Sequence, residues 1–160
     1  MGLLMMGFFL LGCHKAPAAD SAPEKSAAVV FPDGFAVRVD VATTPEQHAR
    51  GLMYVKDLPP DKGMLFLFDT VEVRPFWMKN CFISLDMIWL DRDNRIVDIT
   101  REAKPCQEDP CPNYYPAAPA LNVLEVQGGV AAVHGLVAGD ALSLVNVQSV
   151  RHSAGDRKDE

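Results

Sequence analysis

The sequence has no surplus of positive charge. Lys and Arg total 15 against 21 Asp and Glu, which gives a net charge of −6, and no run of five or more basic residues occurs. Proteins that follow a nucleic-acid backbone neutralise its phosphates with clustered Lys and Arg. The composition therefore excludes nucleic acid from the expected partners.

The sequence also lacks an apolar run long enough to cross a bilayer as a helix, which takes about 20 residues. Residues 1–12, MGLLMMGFFLLG, carry no charge and are typical of a targeting segment. Their end, Leu-Leu-Gly-Cys at 10–13, resembles a bacterial lipobox, in which the preceding segment is removed and the cysteine becomes a lipid-modified N-terminus. No Lys or Arg precedes Cys13, although a signal segment normally starts with one. The alternative is an ordinary secretory N-terminus with an incidental cysteine.

The N-terminal pattern predicts where the protein lies in the cell. We expect a lipid-anchored protein of the bacterial cell envelope, facing the periplasm or the exterior, with residues 1–12 as signal segment and Cys13 as the lipidated residue. Residues 13–28 are rich in Ala, Pro and Ser and predict a disordered tether. A single compact domain then spans 29–148, and 149–160 form a flexible tail. The membrane, reached through the anchor, is the first expected partner.

The hydrophobic pattern of the domain predicts short strands. Alternation over Phe35–Ala42 indicates a half-buried strand, and Leu85–Leu90 with Arg95–Thr100 indicates a hairpin around a polar turn. Thr44-Pro45-Glu46-Gln47 has the residues of a capping box at a helix start. We predict an α+β, mostly β domain with a curled, largely antiparallel sheet or partly open barrel and two short helices.

The most unusual stretch runs from Arg74 to Asp91. It contains both tryptophans, and it places Lys79, Asn80 and Asp86 among large apolar side chains. Buried polar groups are costly unless they are paired or belong to a site. The alternation around Phe76 to Asn80 is that of a strand with polar and apolar residues on each face.

Six short blocks in this order resemble the domain-of-unknown-function 192 family. The blocks are RGLM at 50–53, GMLF at 63–66, FWMKN at 76–80, LDM at 85–87, VLE at 123–125 and GD at 139–140. The resemblance covers about 35–147, and Cys81 departs from it because the family usually has threonine there. It implies a compact, mostly β fold, often secreted or tethered, with no established activity.

Three cysteines remain besides Cys13. Cys106 and Cys111 share one proline-rich loop, and outside the cytoplasm a disulfide is the simplest expectation. A redox pair or a metal site is the alternative, although zinc would need two further ligands. Cys81 is expected to be a small buried side chain, with a thiol activated by Lys79 as the alternative.

An acid–base enzyme is one hypothesis for the polar residues. Lys79 and Asp86 would form the reacting pair, with Glu125, His134 or Asp140 in support. The alternative is a structural Lys79–Asp86 ion pair. No nucleophile-with-base pattern, phosphate loop or cluster of metal ligands occurs, so we expect neither a metal nor a cofactor.

A binding module is the hypothesis that we favour. Arg50, Trp77, Lys79, Asn80 and Asp86 are expected to form one polar cluster beside an aromatic face, as in clefts for small molecules, glycans or peptides. A small molecule, a glycan or an envelope protein is thus the expected partner, with an enzyme second and a structural role third. Arg74 and the aromatics near the cluster are further candidates. These aromatics, Tyr54 among them, could line a cleft or simply be core; Trp89 is expected in the core, and Tyr114 and Tyr115, in a loop, are expected to be exposed.

Overall fold

The computed structural model describes residues 26–147, in which nine strands and two short helices follow one another. In chain order these are β1 (Ala28–Val30), β2 (Ala36–Ala42), α1 (Pro45–Arg50), β3 (Lys62–Glu72), β4 (Phe76–Trp77), β5 (Leu85–Leu90), β6 (Ile96–Ala103), β7 (Asn113–Tyr114), β8 (Ala120–Gln127), α2 (Val130–Val133) and β9 (Ser143–Val145). The predicted lipidation site Cys13 and the predicted tail 149–160 lie outside the described residues.

Seven strands form one curled sheet in the order β6-β5-β8-β3-β2-β1-β9. All neighbours are antiparallel except β2 and β3, which are parallel and joined through α1. Two parallel strands need such a crossover, because the chain must return from the end of the first strand to the opposite end of the sheet, where the second strand starts. The predicted mostly β fold with a curled sheet and two short helices is confirmed.

The sheet is covered by apolar side chains on both faces. Within β3, Leu65 and Leu67 belong to one buried cluster and Phe66 to the other, as the strand period of two requires. β5 is buried at every position, and its Trp89 is in the core as expected. Any polar side chain on the central strands is therefore surrounded by apolar groups.

Helix α1 begins as its sequence predicts. The Thr44 hydroxyl accepts from the Gln47 N–H at 3.3 Å, and the Gln47 side chain accepts from the Thr44 N–H at 3.0 Å. Gly51 ends the helix with a positive φ of 46°. The cap and the glycine fix the position of Arg50, the last residue of α1.

The predicted strand around Phe76 to Asn80 is shorter than expected. Only Phe76 and Trp77 form a strand, and they pair with Tyr114 and Asn113 of β7 in a separate two-stranded sheet. Asn80 then takes a φ of 56°, which ends any extended run. β7 lies in a segment whose prolines predicted a loop, so this pairing was missed.

The N-terminal edge of the domain lies close to the predicted boundary. β1 begins at Ala28, and Ala27 is already buried, so two residues of the predicted tether belong to the fold. Among residues 26–147, no helix has the length and apolarity to span a bilayer.

The cysteine predictions for the domain are confirmed. Cys106 and Cys111 form a disulfide, with 5.8 Å between their Cα atoms. Cys81 is free and buried. The bond closes the proline-rich loop that runs from β6 to β7.

Candidate functional site

A pocket of about 400 Å³ opens beside the C-terminal end of α1. The turn after α1, the middle of β3, the chain around β4, Cys81, Asn113 and Glu125 line it. This volume lies within the range of small-molecule sites in proteins. The pocket is therefore large enough for a ligand of that size.

Aromatic rings form the walls of the pocket. Phe76 meets Phe66 edge-on with 5.1 Å between ring centroids, and Phe68 lies 6.3 Å from Phe76. At the rim, Trp77 is 45 % exposed. Its ring is thus free to contact a bound molecule, because aromatic side chains offer a large apolar face at little entropic cost.

Glu125 of β8 lies at the floor of the pocket and is 4 % exposed. No hydrogen bond or ion pair reaches its carboxyl group from residues 26–147. In the same range, no fully enclosed side-chain nitrogen or oxygen lacks a partner, so the Glu125 oxygens open onto the pocket. Burial raises the pKa of Glu125 to about 8, because the charged form loses its hydration. At neutral pH the group is mostly a neutral carboxylic acid.

Gly51 allows the end of α1 to approach this floor. A Cβ on Gly51 would lie 3.3 Å from Cζ of Phe66 and 3.8 Å from Oε2 of Glu125. The positive φ of Gly51 also disfavours any larger residue. The glycine thus brings Arg50 and Glu125 into one pocket.

Cys81 lines the same pocket but is a poor nucleophile. Burial, and then the charge of Glu125, raise the pKa of the thiol to about 11. The protonated thiol points to the carbonyl oxygen of Lys79 at 3.7 Å. Because the thiolate is the reactive form, the alternative of an activated Cys81 has no support.

Three cationic side chains line the pocket, and they differ in how far they are neutralised. Arg74 donates to Thr70 at 2.6 and 2.7 Å and lies over the Phe68 ring. Lys79 forms a 2.6 Å ion pair with Asp109 and lies 5.7 Å from the centre of the Trp77 ring. The Arg50 side chain, which is exposed, makes no hydrogen bond or ion pair with residues 26–147. Its guanidinium group is the cation left for a ligand.

His48 is held against the aromatic wall. Its Nε2 lies 3.1 Å from the Ala42 carbonyl oxygen, and its ring centre is 4.4 Å from that of Phe68. Because a carbonyl oxygen only accepts, Nε2 must carry the proton. In the neutral ring Nδ1 is then left as an acceptor.

Three of the five predicted binding residues line this pocket, namely Arg50, Trp77 and Lys79. Asn80 does not: its side chain points to the Met53 sulfur at 3.9 Å, and its backbone bonds Tyr54 and Cys106. The predicted single cluster therefore included a residue, Asn80, that does not line the pocket.

Asp86 also lies outside the pocket, which corrects its predicted place in the cluster. It is completely buried, and its carboxylate accepts the backbone N–H groups of Glu102, Gly129 and Ala131 at 2.7–3.0 Å. These bonds satisfy the first turn of α2, which lacks a side-chain cap from its own N-cap residue. Asp86 is a structural residue that joins β5, β6 and α2.

The predicted partnership of Lys79 with Asp86 is wrong in both its catalytic and its structural form. Lys79 pairs with Asp109 instead. His134 pairs with Asp33 at 2.7 Å, and Asp140 accepts the Val137 N–H at 2.9 Å. Of the three supporting residues named from the sequence, Glu125 alone lines the pocket.

The tyrosines are only partly where they were expected. Tyr54 and Tyr115 are exposed, whereas Tyr114 is half-buried and its hydroxyl accepts the Lys104 N–H at 3.2 Å. Sequence reasoning did not find the pocket roles of Phe66, Phe68 and His48. The acidic Glu125 within the apolar strand from Leu121 to Val126 was the available signal for the floor.

Fold and site together define a class: a small, mostly β domain with an apolar pocket over a buried carboxyl group. In residues 26–147, no group of three or more His, Cys, Asp or Glu side chains is placed to hold a metal ion. A family model matches residues 28–144, and the chain belongs to that family, the domain-of-unknown-function 192 family, described as “Uncharacterized ACR”.

Two solved structures resemble this chain. A protein of unknown function from Novosphingobium aromaticivorans is 32% identical, with a TM-score of 0.67 over 82% of this chain and 99% of its own. A candidate transcription regulator from Sinorhizobium meliloti is 31% identical, with a TM-score of 0.65 over 74% of this chain and 91% of its own. None of the curated proteins compared with the chain matches it significantly.

Proposed function

We propose that this protein is a binding module of the bacterial cell envelope that takes a small molecule, or the end of a glycan or peptide, into the pocket beside α1. One observation carries the proposal: the Glu125 carboxyl faces an apolar pocket and has no partner among residues 26–147. A carboxyl group that is only 4 % exposed has lost most of its hydration, which costs free energy when no protein group bonds it. A ligand that bonds Glu125 would recover part of that cost.

Binding is better supported than acid–base catalysis. The enzyme hypothesis required Lys79 and Asp86 to act together, and the two are bonded to different partners. The Cys81 thiol is protonated, and His48 is bonded to a backbone carbonyl. The pocket thus offers recognition groups rather than a nucleophile with its base.

The envelope location is part of the same proposal. Its supports are the lipobox-like sequence before Cys13 and the disulfide between Cys106 and Cys111, since disulfides persist in oxidising compartments. The anchor would hold the domain at a membrane surface. A nucleic-acid partner, which the description of the Sinorhizobium relative would suggest, is not proposed, because acidic residues outnumber basic ones here.

A blocked pocket tests the binding function. Ala49 lines the pocket on α1, so Ala49→Trp should fill its mouth, whereas Ala132→Trp on α2 adds the same ring at an exposed site elsewhere. The full chain is screened by ligand-observed NMR against a library of small acids, sugars and short peptides. We expect hits that bind wild type and Ala132→Trp but not Ala49→Trp. A library without hits, or hits that all survive Ala49→Trp, would contradict the proposal.

A further inference from the structure

Two polar side chains that line the pocket have no bonding partner among residues 26–147. Arg50 lies at the mouth of the pocket and Glu125 at its floor. Neither the guanidinium of Arg50 nor the carboxyl of Glu125 forms a hydrogen bond or ion pair with residues 26–147. The rings of Phe66, Phe68 and Phe76 line the same pocket. A molecule that bonds both groups and also packs against the rings must combine two polar groups with an apolar body. This inference rests on the proposed binding function and concerns the class of ligand.

The charges of the lining residues indicate where an anionic group of the ligand would bind. Arg50, Arg74 and Lys79 line the pocket, and Glu125 is the only acidic residue among the lining residues. The pocket is thus locally positive in a protein whose net charge is −6. Asp109 neutralises Lys79, and Arg74 is already bonded to Thr70 and Glu72. An anionic group on the ligand would therefore be held at Arg50.

The shapes of the two end groups narrow the choice further. A guanidinium is a planar fork of donors that matches a carboxylate with two parallel hydrogen bonds. A carboxyl group buried among apolar side chains resists taking up charge and is best matched by a group that both donates and accepts. Hydroxyl and primary amide groups have that property.

We propose that the ligand is a small organic acid with its carboxylate on Arg50, an aromatic or other apolar body against the Phe66–Phe68–Phe76 wall, and a hydroxyl or amide group on Glu125. Trp77 at the open rim would cover the part of the body that stays outside. In this arrangement Lys79 keeps its ion pair with Asp109.

Three probes of nearly equal shape separate the two ends. They are para-hydroxyphenylpropanoate, which has both end groups, phenylpropanoate, which lacks the hydroxyl, and para-hydroxyphenylpropanamide, which lacks the anion. Affinities for the full chain are measured by NMR titration. We expect the first probe to bind roughly threefold to tenfold more tightly than the second, and about tenfold or more tighter than the third.

Variants assign each preference to its residue. Arg50→Gln should abolish the preference for the acid over the amide but keep that for the hydroxyl. Glu125→Leu should abolish the preference for the hydroxyl, and Glu125→Gln, which still donates and accepts, should keep it. Arg92→Gln, at another exposed arginine, should change neither.

The outcomes distinguish this inference from the function on which it rests. Three probes of equal affinity, or preferences that Arg50→Gln and Glu125→Leu leave intact, would overturn the assignment. If none of the probes binds while other molecules still bind in a way that Ala49→Trp abolishes, the ligand class is wrong and the binding function stands. If Ala49→Trp abolishes no binding at all, both fail.

Discussion

Glu125 and Asp86 show how differently two buried carboxyl groups act in one small domain. Asp86 accepts three backbone N–H groups and holds α2 to the sheet, so its charge is compensated. Glu125 has no such donors among residues 26–147 and opens onto a pocket. Folding alone explains the first carboxyl, and the proposed binding function accounts for the second.

The raised pKa of Glu125 predicts how stability varies with pH. In the unfolded chain the carboxyl ionises near pH 4.5, whereas in the folded protein it keeps its proton to about pH 8. Between these values the folded state binds the extra proton, so this group makes the free energy of unfolding fall as pH rises, by up to about 1.4 kcal/mol per unit. Above pH 8 its contribution levels off.

Glu125→Gln is the matched variant for this effect, because it keeps the shape and cannot ionise. We expect the free energy of unfolding of wild type, measured in urea, to fall from pH 5 to pH 8 relative to that of the variant. Cys81, His48, Arg50 and Lys79 line the same pocket and are present in both proteins, so they cancel in the comparison. Parallel pH profiles for the two proteins would refute the buried, unpaired state of Glu125.

Asp86→Ala should be strongly destabilising, by roughly 3 kcal/mol or more, because it leaves three backbone N–H groups without their acceptor. Lys79→Ala breaks only a largely exposed pair with Asp109 and should cost about 1 kcal/mol or less. Denaturant unfolding of both variants and of the double variant checks this. Since Lys79 and Asp86 have no common partner, the two costs should add; a coupling beyond about 0.5 kcal/mol would restore their partnership.

Helix α1 and the turn that follows it build the mouth of the pocket. The capping box fixes where the helix starts, and Gly51 fixes where it ends and how close it lies to Phe66. The chain can leave the helix at this angle because glycine tolerates positive φ. Arg50 is thereby held at the mouth, with no hydrogen bond or ion pair from its side chain to residues 26–147.

Gly51→Ala tests this turn, with Gly135→Ala as control. Both glycines have positive φ, at 46° and 62°, but a Cβ at Gly135 would meet nothing within 4 Å. Backbone strain alone should cost the control about 1–2 kcal/mol. We expect Gly51→Ala to cost at least about 1 kcal/mol more, because its Cβ also crowds Phe66. Equal losses in thermal unfolding would show that the close approach does not matter.

The elements that were predicted from the sequence are those with local causes. Thr44 and Gln47 lie three residues apart and cap α1 as expected, and Asp91 bonds Asp93 and Arg95 in the polar turn. The β4–β7 pairing and the partners of Asp86 depend on residues far apart in the chain: Ala131 is 45 residues from Asp86. No local pattern contains that information, so the predicted polar cluster included Asp86, which lies outside the pocket.

At the scale of the whole molecule, the fold joins a sheet buried on both faces to the open pocket beside α1. The two apolar clusters stabilise the sheet, and the pocket stands where α1 and the β4–β7 pair leave part of the second cluster uncovered. The disulfide ties the loop that carries Asp109, the partner of Lys79. Lys79 of the pocket lining is thus bonded to the disulfide loop, whereas Glu125 at the floor belongs to the central sheet.

The proposed envelope location makes a prediction about the cysteines. In protein purified from bacterial membranes, intact-mass analysis should find a chain that starts at an acylated Cys13. After denaturation, alkylation should label Cys81 first, and Cys106 and Cys111 only after reduction. A chain that is unmodified at Cys13 would remove the anchor. Labelling of all three domain cysteines without reductant would remove the disulfide from the proposal.

The most direct measurement of the central claim is to map where a bound molecule contacts the protein. A library hit is titrated into the isotope-labelled chain, and amide and indole N–H shifts are followed by two-dimensional NMR. If the pocket is the binding site, the largest shifts fall on Gly51, Phe66, the Trp77 indole and Glu125, and Ala49→Trp abolishes them. Shifts centred on α2 or on Tyr115, with the pocket residues unmoved, would contradict it.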